Sequence, residues 1–200
     1  GIEAILSAMK AHPGVYKVQE NGCGALLNLA SNNADNQTQI AAQGGIEAIL
    51  SAMKAHPGVL GVQEEACGAL FNLALNADNQ VKIVKAGGIE AILAAMKTHP
   101  RDVQVQEGSC GALWNLLYQN TDNRPKIAKA GGIEAVLSAM KAHPGVANVQ
   151  EYGCGALNNI CWTSTEHRNR VKANNGVALV RLALQNHSSS NAQCLLDKLR

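Results

Sequence analysis

Apolar residues recur along the chain with the spacing of an amphipathic helix. The clearest stripe follows the i, i+3, i+4, i+7 pattern and consists of Ile46, Ile49, Leu50 and Met53. Lys54 and His56 close this segment, where cations suit the helix dipole, and Pro57 stops it. The pattern predicts a helix over residues 46–56. No segment rich in Val, Ile and Thr alternates with polar residues, so no strand is predicted.

Two more helices are predicted around this one. Asp35 is a candidate N-cap for a short helix over 36–43, which Gly44 and Gly45 end because glycine tolerates the left-handed conformation. A third and longer helix is predicted over 59–75. The unit is therefore three helices in about 43 residues.

This unit is repeated along the chain. Gly-Ile-Glu-Ala recurs at Gly1, Gly45, Gly88 and Gly132, and a degenerate copy begins at Gly176, with periods of 43 or 44 residues. Residues 1–30 and 45–74 differ at five of thirty positions, which indicates either recent duplication or consensus design. A period in this range with three helices is typical of armadillo repeats, whereas shorter periods indicate tetratricopeptide or ankyrin repeats.

The residues within the period also resemble the armadillo family. The run Asp78-Asn79-Gln80, Ile83, Ala86-Gly87-Gly88-Ile89 and Leu93, followed by Val105-Gln106-Glu107, Ala112-Leu113 and Asn115-Leu116, is similar to the armadillo consensus. The resemblance implies an all-α protein, a right-handed α-solenoid over residues 1–200. The predicted repeats are 1–44, in which the first helix is missing, 45–87, 88–131, 132–175, and a degenerate C-terminal capping repeat at 176–200.

One face of the third helix varies between copies while the rest stays nearly constant. Five of the six aromatic residues fall on this face, namely Phe71, Trp114, Tyr118, Tyr152 and Trp162. Drift of a solvated surface also produces variation, but large aromatics on a polar face are typical of binding hot spots. We expect these aromatics to line a peptide-binding groove.

Two rows of constant polar residues accompany the variable positions. The first row is Asn28, Asn72, Asn115 and Asn159. An amide offers both a donor and an acceptor, so each Asn can pair with one peptide unit of an extended ligand; the alternative is that it caps the end of its own helix. The second row is Glu20, Glu64, Glu107 and Glu151. These carboxylates either favour a basic ligand or stabilise their own helices by lying near the positive end of the helix dipole.

The resemblance extends to importin-α and β-catenin, whose third helices bind extended peptides. The importin groove pairs a Trp with an Asn four residues later, and the Asn row matches that Asn. The Trp position is occupied instead by Gly24, Gly68, Gly111 and Gly155. A glycine repeated in mid-helix indicates either a close approach of another group or consensus copying.

The composition and the absence of known motifs exclude several classes of function. The chain is 46% apolar with a net charge of +2 and has no basic run, which argues against nucleic acid or a membrane as partner. Cys23, Cys67, Cys110 and Cys154 are one position in four repeats and are expected to be reduced core residues, which fits the cytoplasm or nucleus. Four His-Pro pairs are interpreted as helix caps rather than metal ligands, and Cys161 and Cys194 fit no ligand pattern. No cofactor or metal is predicted, and no motif of a nucleotide-binding or hydrolytic enzyme occurs.

The sequence therefore predicts a non-enzymatic scaffold that binds an extended peptide, basic in character, along the concave face of the third helices. The alternative is a purely structural or engineered repeat module without a ligand of its own. The chain opens at Gly1 without Met, which indicates a fragment or processed chain. The first repeat is expected to expose apolar surface, and therefore either to be the least stable repeat or to be covered by another copy of the chain.

Overall fold

The computed structural model describes all residues, 1–200, and consists of helices joined by short turns. It divides into two compact units, Gly1–His99 and Pro100–Arg200. The all-α fold class predicted from the periodicity is confirmed. No helix in the chain combines the length and apolar character that a membrane span requires.

The first unit contains seven helices. They are α1 (Ile2–Ala11), α2 (Tyr16–Ala30), α3 (Ala34–Ala42), α4 (Gly45–Ala55), α5 (Leu60–Leu73), α6 (Ala77–Lys85) and α7 (Gly88–Thr98). The longest helices, α2 and α5, pack side by side, and the shorter α1 and α4 pack against them. The core is aliphatic, with Leu26, Ile49 and Leu70 among its fully buried side chains.

The second unit contains the other seven helices. They are α8 (Val103–Leu117), α9 (Asn123–Lys129), α10 (Gly132–Ala142), α11 (Ala147–Ile160), α12 (Thr165–Ala173), α13 (Gly176–His187) and α14 (Ser190–Leu199). Helix α11 is central to this unit because α8, α10 and α14 all pack against it. Leu113, Leu116 and Ile127 are fully buried in its core.

The helix bounds lie within two residues of those expected from the periodicity, but one predicted cap is wrong. The helix expected over 36–43 is α3, and its N-cap is Asn33 rather than Asp35. The Asn33 Oδ1 accepts a hydrogen bond of 3.0 Å from the Asn36 backbone N–H. Asp35 instead lies in the first helical turn, where its charge meets the positive end of the dipole.

The two glycines before each second helix have different roles. Gly44, Gly87 and Gly131 have φ angles of +87°, +87° and +94°, the left-handed conformation that glycine adopts without cost. The next residue has no positive φ but lies against the preceding helix. A Cβ atom at Gly45 would lie 2.8 Å from the Ile40 carbonyl oxygen and would also clash with Ile40 Cγ2. Only a residue without a side chain fits this contact.

A buried glutamine fixes the turn between the second and third helices. The Gln63 Nε2 donates hydrogen bonds of 3.0 Å to the carbonyl oxygens of both Met53 and His56. Gln19 and Gln150 make the same pair of bonds in their own copies. Each glutamine thus supplies a donor to the Met carbonyl, which the following proline cannot bond, and a second donor to the His carbonyl, which also accepts a backbone N–H of the turn.

The His-Pro pairs link successive copies. The Nε2 atom of His56 donates to the carbonyl oxygen of Pro13 at 2.8 Å, and His99 and His187 donate in the same way to Pro57 and Pro144 at 2.9 Å. His143 donates to Pro100 at 3.1 Å. His12 is the C-cap of α1, whereas the linking histidines His56, His99 and His143 are the C-caps of α4, α7 and α10. They therefore cap one helix and join it to the preceding turn.

Candidate functional site

The predicted site residues lie on, or directly after, the third helices α2, α5, α8 and α11. Within the first unit α2 packs against α5, and within the second α8 and α14 pack against α11. We call the side of these helices that carries the Asn row, the Glu row and the aromatics the third-helix face. Each unit presents its own part of this face.

The repeated mid-helix glycine is a point of close approach between neighbouring helices. A Cβ atom at Gly155 would lie 2.7 Å from both Cε2 and Nε1 of Trp114, so the indole covers the glycine. Leu27 covers Gly68 in the first unit, where the corresponding distance to Leu27 Cδ1 is 3.1 Å. The side chain one residue before the Asn thus lies over the glycine of the next third helix. In α11 an indole covers the position that the importin resemblance assigns to a Trp.

Trp114 also stacks on an aromatic residue of α11. Its ring centroid is 5.6 Å from that of Tyr152, and the two ring planes are inclined by 29°. Both side chains are half-buried. Burial raises the pKa of the Tyr152 hydroxyl, and the nearby Glu107 and Glu151 carboxylates raise it further. The phenol therefore stays neutral at physiological pH beside the Glu row.

The other predicted aromatics differ in exposure. Phe71 on α5 is half-buried. Tyr118, the C-cap of α8, and Trp162, two residues after the end of α11, are 58% and 53% exposed. Leu75, at the same position after α5, is 54% exposed. Large apolar side chains are thus presented to solvent at the end of each of these helices.

The Asn row is used in part for contacts between neighbouring helices. The Asn72 Nδ2 donates a hydrogen bond of 3.2 Å to the Leu27 carbonyl oxygen, in the last turn of α2. Asn28 is exposed and Asn115 is half-buried. The Nδ2 of Asn159 is buried and has no hydrogen-bond partner. Asn72 therefore caps the neighbouring helix rather than its own.

The Glu row is likewise engaged between helices. Glu107 Oε1 accepts a hydrogen bond of 2.9 Å from Asn148 Nδ2, and Glu151 Oε1 accepts one of 2.6 Å from Asn191 Nδ2. In the first unit the Glu20 carboxylate accepts from Lys17 and lies over Gly61 of α5. Glu64 is half-buried. The carboxylates of Glu20, Glu107 and Glu151 thus orient towards the following helix of their own unit.

Several residues of this face were not singled out from the sequence. Asn148 stands at a position recognised as variable, but its bond to Glu107 depends on how α8 and α11 pack. Asn158 lies one residue before the Asn row and is buried, where it accepts a hydrogen bond from Lys198. The residue before each Asn of the row differs between copies, and this variation could have marked Asn158 as a site residue. No sequence signal marked Lys198.

No group of three or more His, Cys, Asp and Glu side chains is arranged to hold a metal ion. The cysteines are all free thiols, and only Cys194 is exposed. Burial raises the pKa of Cys23, Cys110 and Cys154 to about 12 and that of Cys161 to about 11. These buried thiols are therefore neutral and unreactive.

A family model decides the relationship of the chain to known proteins. The model for the LRRK2 ARM repeat matches residues 2–123, more than half of the chain. The chain belongs to this armadillo-repeat family. The armadillo prediction made from the period and the consensus residues is confirmed. A search of curated protein sequences finds no match.

Solved structures similar to this armadillo protein include engineered ones. An engineered protein superimposes with a TM-score of 0.83 at 25% identity, covering all of this chain and 81% of its own. A second engineered protein gives 0.81 at 25% identity, and this chain covers 46% of it. A designed armadillo repeat protein solved in complex with the peptide (KR)4 gives 0.66 at 15% identity, with both chains covered fully. These likenesses support an armadillo-repeat solenoid fold.

Proposed function

We propose that this armadillo protein is a non-catalytic scaffold that binds an extended peptide along its third-helix face. The observation that carries the proposal is the aromatic surface of α8 and α11, where Trp114 stacks on Tyr152 and both Tyr118 and Trp162 are more than half exposed. Aromatic side chains that combine rigidity with exposure dominate the energy of many interfaces.

Polar groups on the same face suit a peptide backbone. Asn72 uses one amide N–H for the Leu27 carbonyl, which leaves its Oδ1 to accept a hydrogen bond from a peptide N–H. Stacked helices lie about 8–10 Å apart, and two residues of extended peptide span up to about 7 Å. The concave side of a curved stack of helices is compressed below that spacing, so one Asn for every two ligand residues is a workable match, and it does not depend on the ligand's sequence.

The charge of the face favours a basic ligand. Four carboxylates recur along it, and those of Glu107 and Glu151 approach Tyr152 closely enough to raise its pKa. The designed armadillo protein of the same fold was solved with a peptide of alternating Lys and Arg. We therefore propose a Lys- or Arg-containing peptide in a reducing compartment, the cytoplasm or nucleus.

Direct binding measurements test the proposal. We expect a fluorescein-labelled (KR)4 peptide to bind more tightly than a (QS)4 peptide of equal length, with an affinity that falls as salt screens the carboxylates. Trp114→Ala and Asn115→Ala should each weaken binding at least about tenfold, equivalent to about 1.4 kcal/mol. Tyr16→Ala is the matched control, since Tyr16 is an exposed aromatic outside this face. Normal binding by both site variants, with helicity unchanged by circular dichroism, would refute the proposed face.

A structural module without its own ligand is the second candidate. The internal bonds of Glu107, Glu151 and Asn72 favour it, because these residues already have a role between helices. A peptide array separates the two functions. A module without a ligand should retain no peptide class above background, whereas the scaffold should retain peptides that lose binding when Trp114 is replaced.

We also propose self-association through α1. Ile2, Ile5 and Leu6 are only half-buried, whereas their counterparts on α4, Ile46, Ile49 and Leu50, are buried. A second copy covering this surface would remove it from water. Light scattering across a concentration series should show dimers that Leu6→Glu abolishes; a monomer at every concentration would contradict this proposal.

A further inference from the structure

A lysine of the last helix lies inside the third-helix face of the second unit. The Lys198 ammonium lies over the Trp162 ring, with Nζ 4.2 Å from the ring centroid. It also donates a hydrogen bond to Asn158 Oδ1 and lies 3.2 Å from Cys194 Sγ. Three side chains therefore surround one cation.

The packing register shows which repeat position Lys198 occupies. Asn191 of α14 bonds Glu151 of α11 as Asn148 of α11 bonds Glu107 of α8. The register between α11 and α14 is thus 43 residues, and it places Lys198 at the position of Gly155. Gly155 lets Trp114 lie flat on α11, whereas α14 carries a lysine that reaches back to α11.

The groups around the ammonium are those that attract a cation without neutralising it. The indole face carries negative electrostatic potential, and the Asn158 amide oxygen is an acceptor. Asn158 also lies in the last turn of α11, the negative end of the helix dipole. None of the ion pairs in the structure involves Lys198. Only neutral groups hold the ammonium, so no ion pair has to break when another cation replaces it.

We propose that Asn158 and Trp162 form a binding site for the ammonium or guanidinium group of a ligand side chain, and that Lys198 occupies this site in the free chain. Trp162 is 53% exposed, so a ligand can approach the ring from solvent. The lysine competes with the ligand and sets the affinity at this end of the third-helix face. The competition with a peptide rests on the proposed function, whereas the cation site does not.

The site can be tested with a small ammonium compound that corresponds to a free lysine side chain. Lys198→Met keeps the aliphatic stem and removes the charge, and n-butylammonium is the probe. The indole N–H signal of Trp162, assigned with Trp162→Phe, reports binding by NMR. Lys141→Met is the matched control, because it removes the same charge from an exposed position on α10. Lys198→Arg keeps a cation in place, and n-butanol is the neutral control ligand. Thermal melts establish that each variant is folded.

We expect n-butylammonium to shift the Trp162 signal saturably in Lys198→Met, at concentrations at least about tenfold lower than in the unmodified chain, Lys141→Met or Lys198→Arg. No effect of n-butanol is expected. An unmoved signal in Lys198→Met, or equal shifts in all four proteins, overturns the inference.

The peptide measurement separates this inference from the proposed function. Lys198→Met should bind (KR)4 about three- to tenfold more tightly than Lys141→Met does. If the chains bind (KR)4 but n-butylammonium leaves the Trp162 signal unmoved, the cation site is wrong and the scaffold function stands. If no chain binds (KR)4 while the signal shifts in Lys198→Met, the cation site stands and the peptide-binding function is wrong.

Discussion

Gly155 lies in the middle of α11, where alanine has a helix propensity better by about 1 kcal/mol. An alanine Cβ would meet the Trp114 indole at 2.7 Å, and a rigid ring cannot yield by bending. Overpacking of this kind costs about 1–3 kcal/mol, which exceeds the propensity gain. We predict that Gly155→Ala lowers the free energy of unfolding by about 1 kcal/mol and changes the Trp fluorescence.

A matched substitution checks that prediction. Nothing lies within 4 Å of a Cβ atom at Gly145, and its φ is not positive, so Gly145→Ala should leave both stability and fluorescence unchanged. Chemical denaturation monitored by fluorescence measures both quantities. A Gly155→Ala protein as stable as the unmodified chain would show that the indole moves away at no cost.

The buried thiols predict how stability changes in alkaline solution. Burial raises the pKa of Cys110 to about 12, whereas an unfolded thiol titrates near pH 9. Between these values the unfolded chain releases a proton that the folded chain keeps, so the free energy of unfolding falls as pH rises. The contribution is fully present below pH 9 and lost towards pH 12. Denaturation from pH 8 to 11 should show a shallower decline in Cys110→Ala, by up to about 1.4 kcal/mol per pH unit; parallel profiles would contradict this.

The structural role of a residue could be predicted from the sequence where the residues of its own repeat define its surroundings. The core position of Cys23 and the left-handed Gly44 follow from local pattern, and both are confirmed. The need for glycine at Gly155 depends on Trp114, forty-one residues earlier. That contact exists only once α8 and α11 are packed, so the sequence left close approach and consensus copying equally open.

At the scale of helices, the histidine bonds connect each second helix to the turn before it. His143 is buried and donates to the Pro100 carbonyl, whereas His12 at the equivalent position is exposed. We predict that His143→Ala lowers the free energy of unfolding by about 1–2 kcal/mol, because it removes a part-buried hydrogen bond together with the packing of a buried imidazole. His12→Ala, measured by the same thermal or urea denaturation, should change it by less than about 0.5 kcal/mol. Equal losses in the two variants would mean that capping alone explains the histidines.

The helices themselves could be predicted because their apolar stripes, glycines and prolines are local signals. The N-cap of α3 could not, since Asn33 and Asp35 are both good capping residues two positions apart. The backbone conformation distinguishes the two residues, because Asn33 has the extended conformation that an N-cap requires and Asp35 is already helical. The Asn and Glu rows were recognised from constancy, but their bonds to Leu27, Asn148 and Asn191 depend on the packing register.

At the scale of the whole molecule, the copies within the first unit differ in burial although their sequences nearly coincide. Ile2, Ile5 and Leu6 of α1 are half-buried, while Ile46, Ile49 and Leu50 of α4 are buried between α3, α5 and α7. Burial of apolar surface supplies most of the stability of a helix in a repeat protein, because each repeat stacks only on its neighbours. The second copy should therefore open less often than the first.

Hydrogen exchange measures this difference with a built-in control. Residues 1–30 and 45–74 are identical at all but five positions, so their intrinsic exchange rates nearly match and any difference in protection reports structure. We predict that amides of α1 exchange at least about tenfold faster than those of α4, since local opening costs less where fewer apolar contacts break. Leu6→Ala should accordingly cost less stability than Leu50→Ala. Equal protection of the two segments, in a protein that light scattering shows to be monomeric, would mean that the half-buried stripe of α1 does not limit its stability.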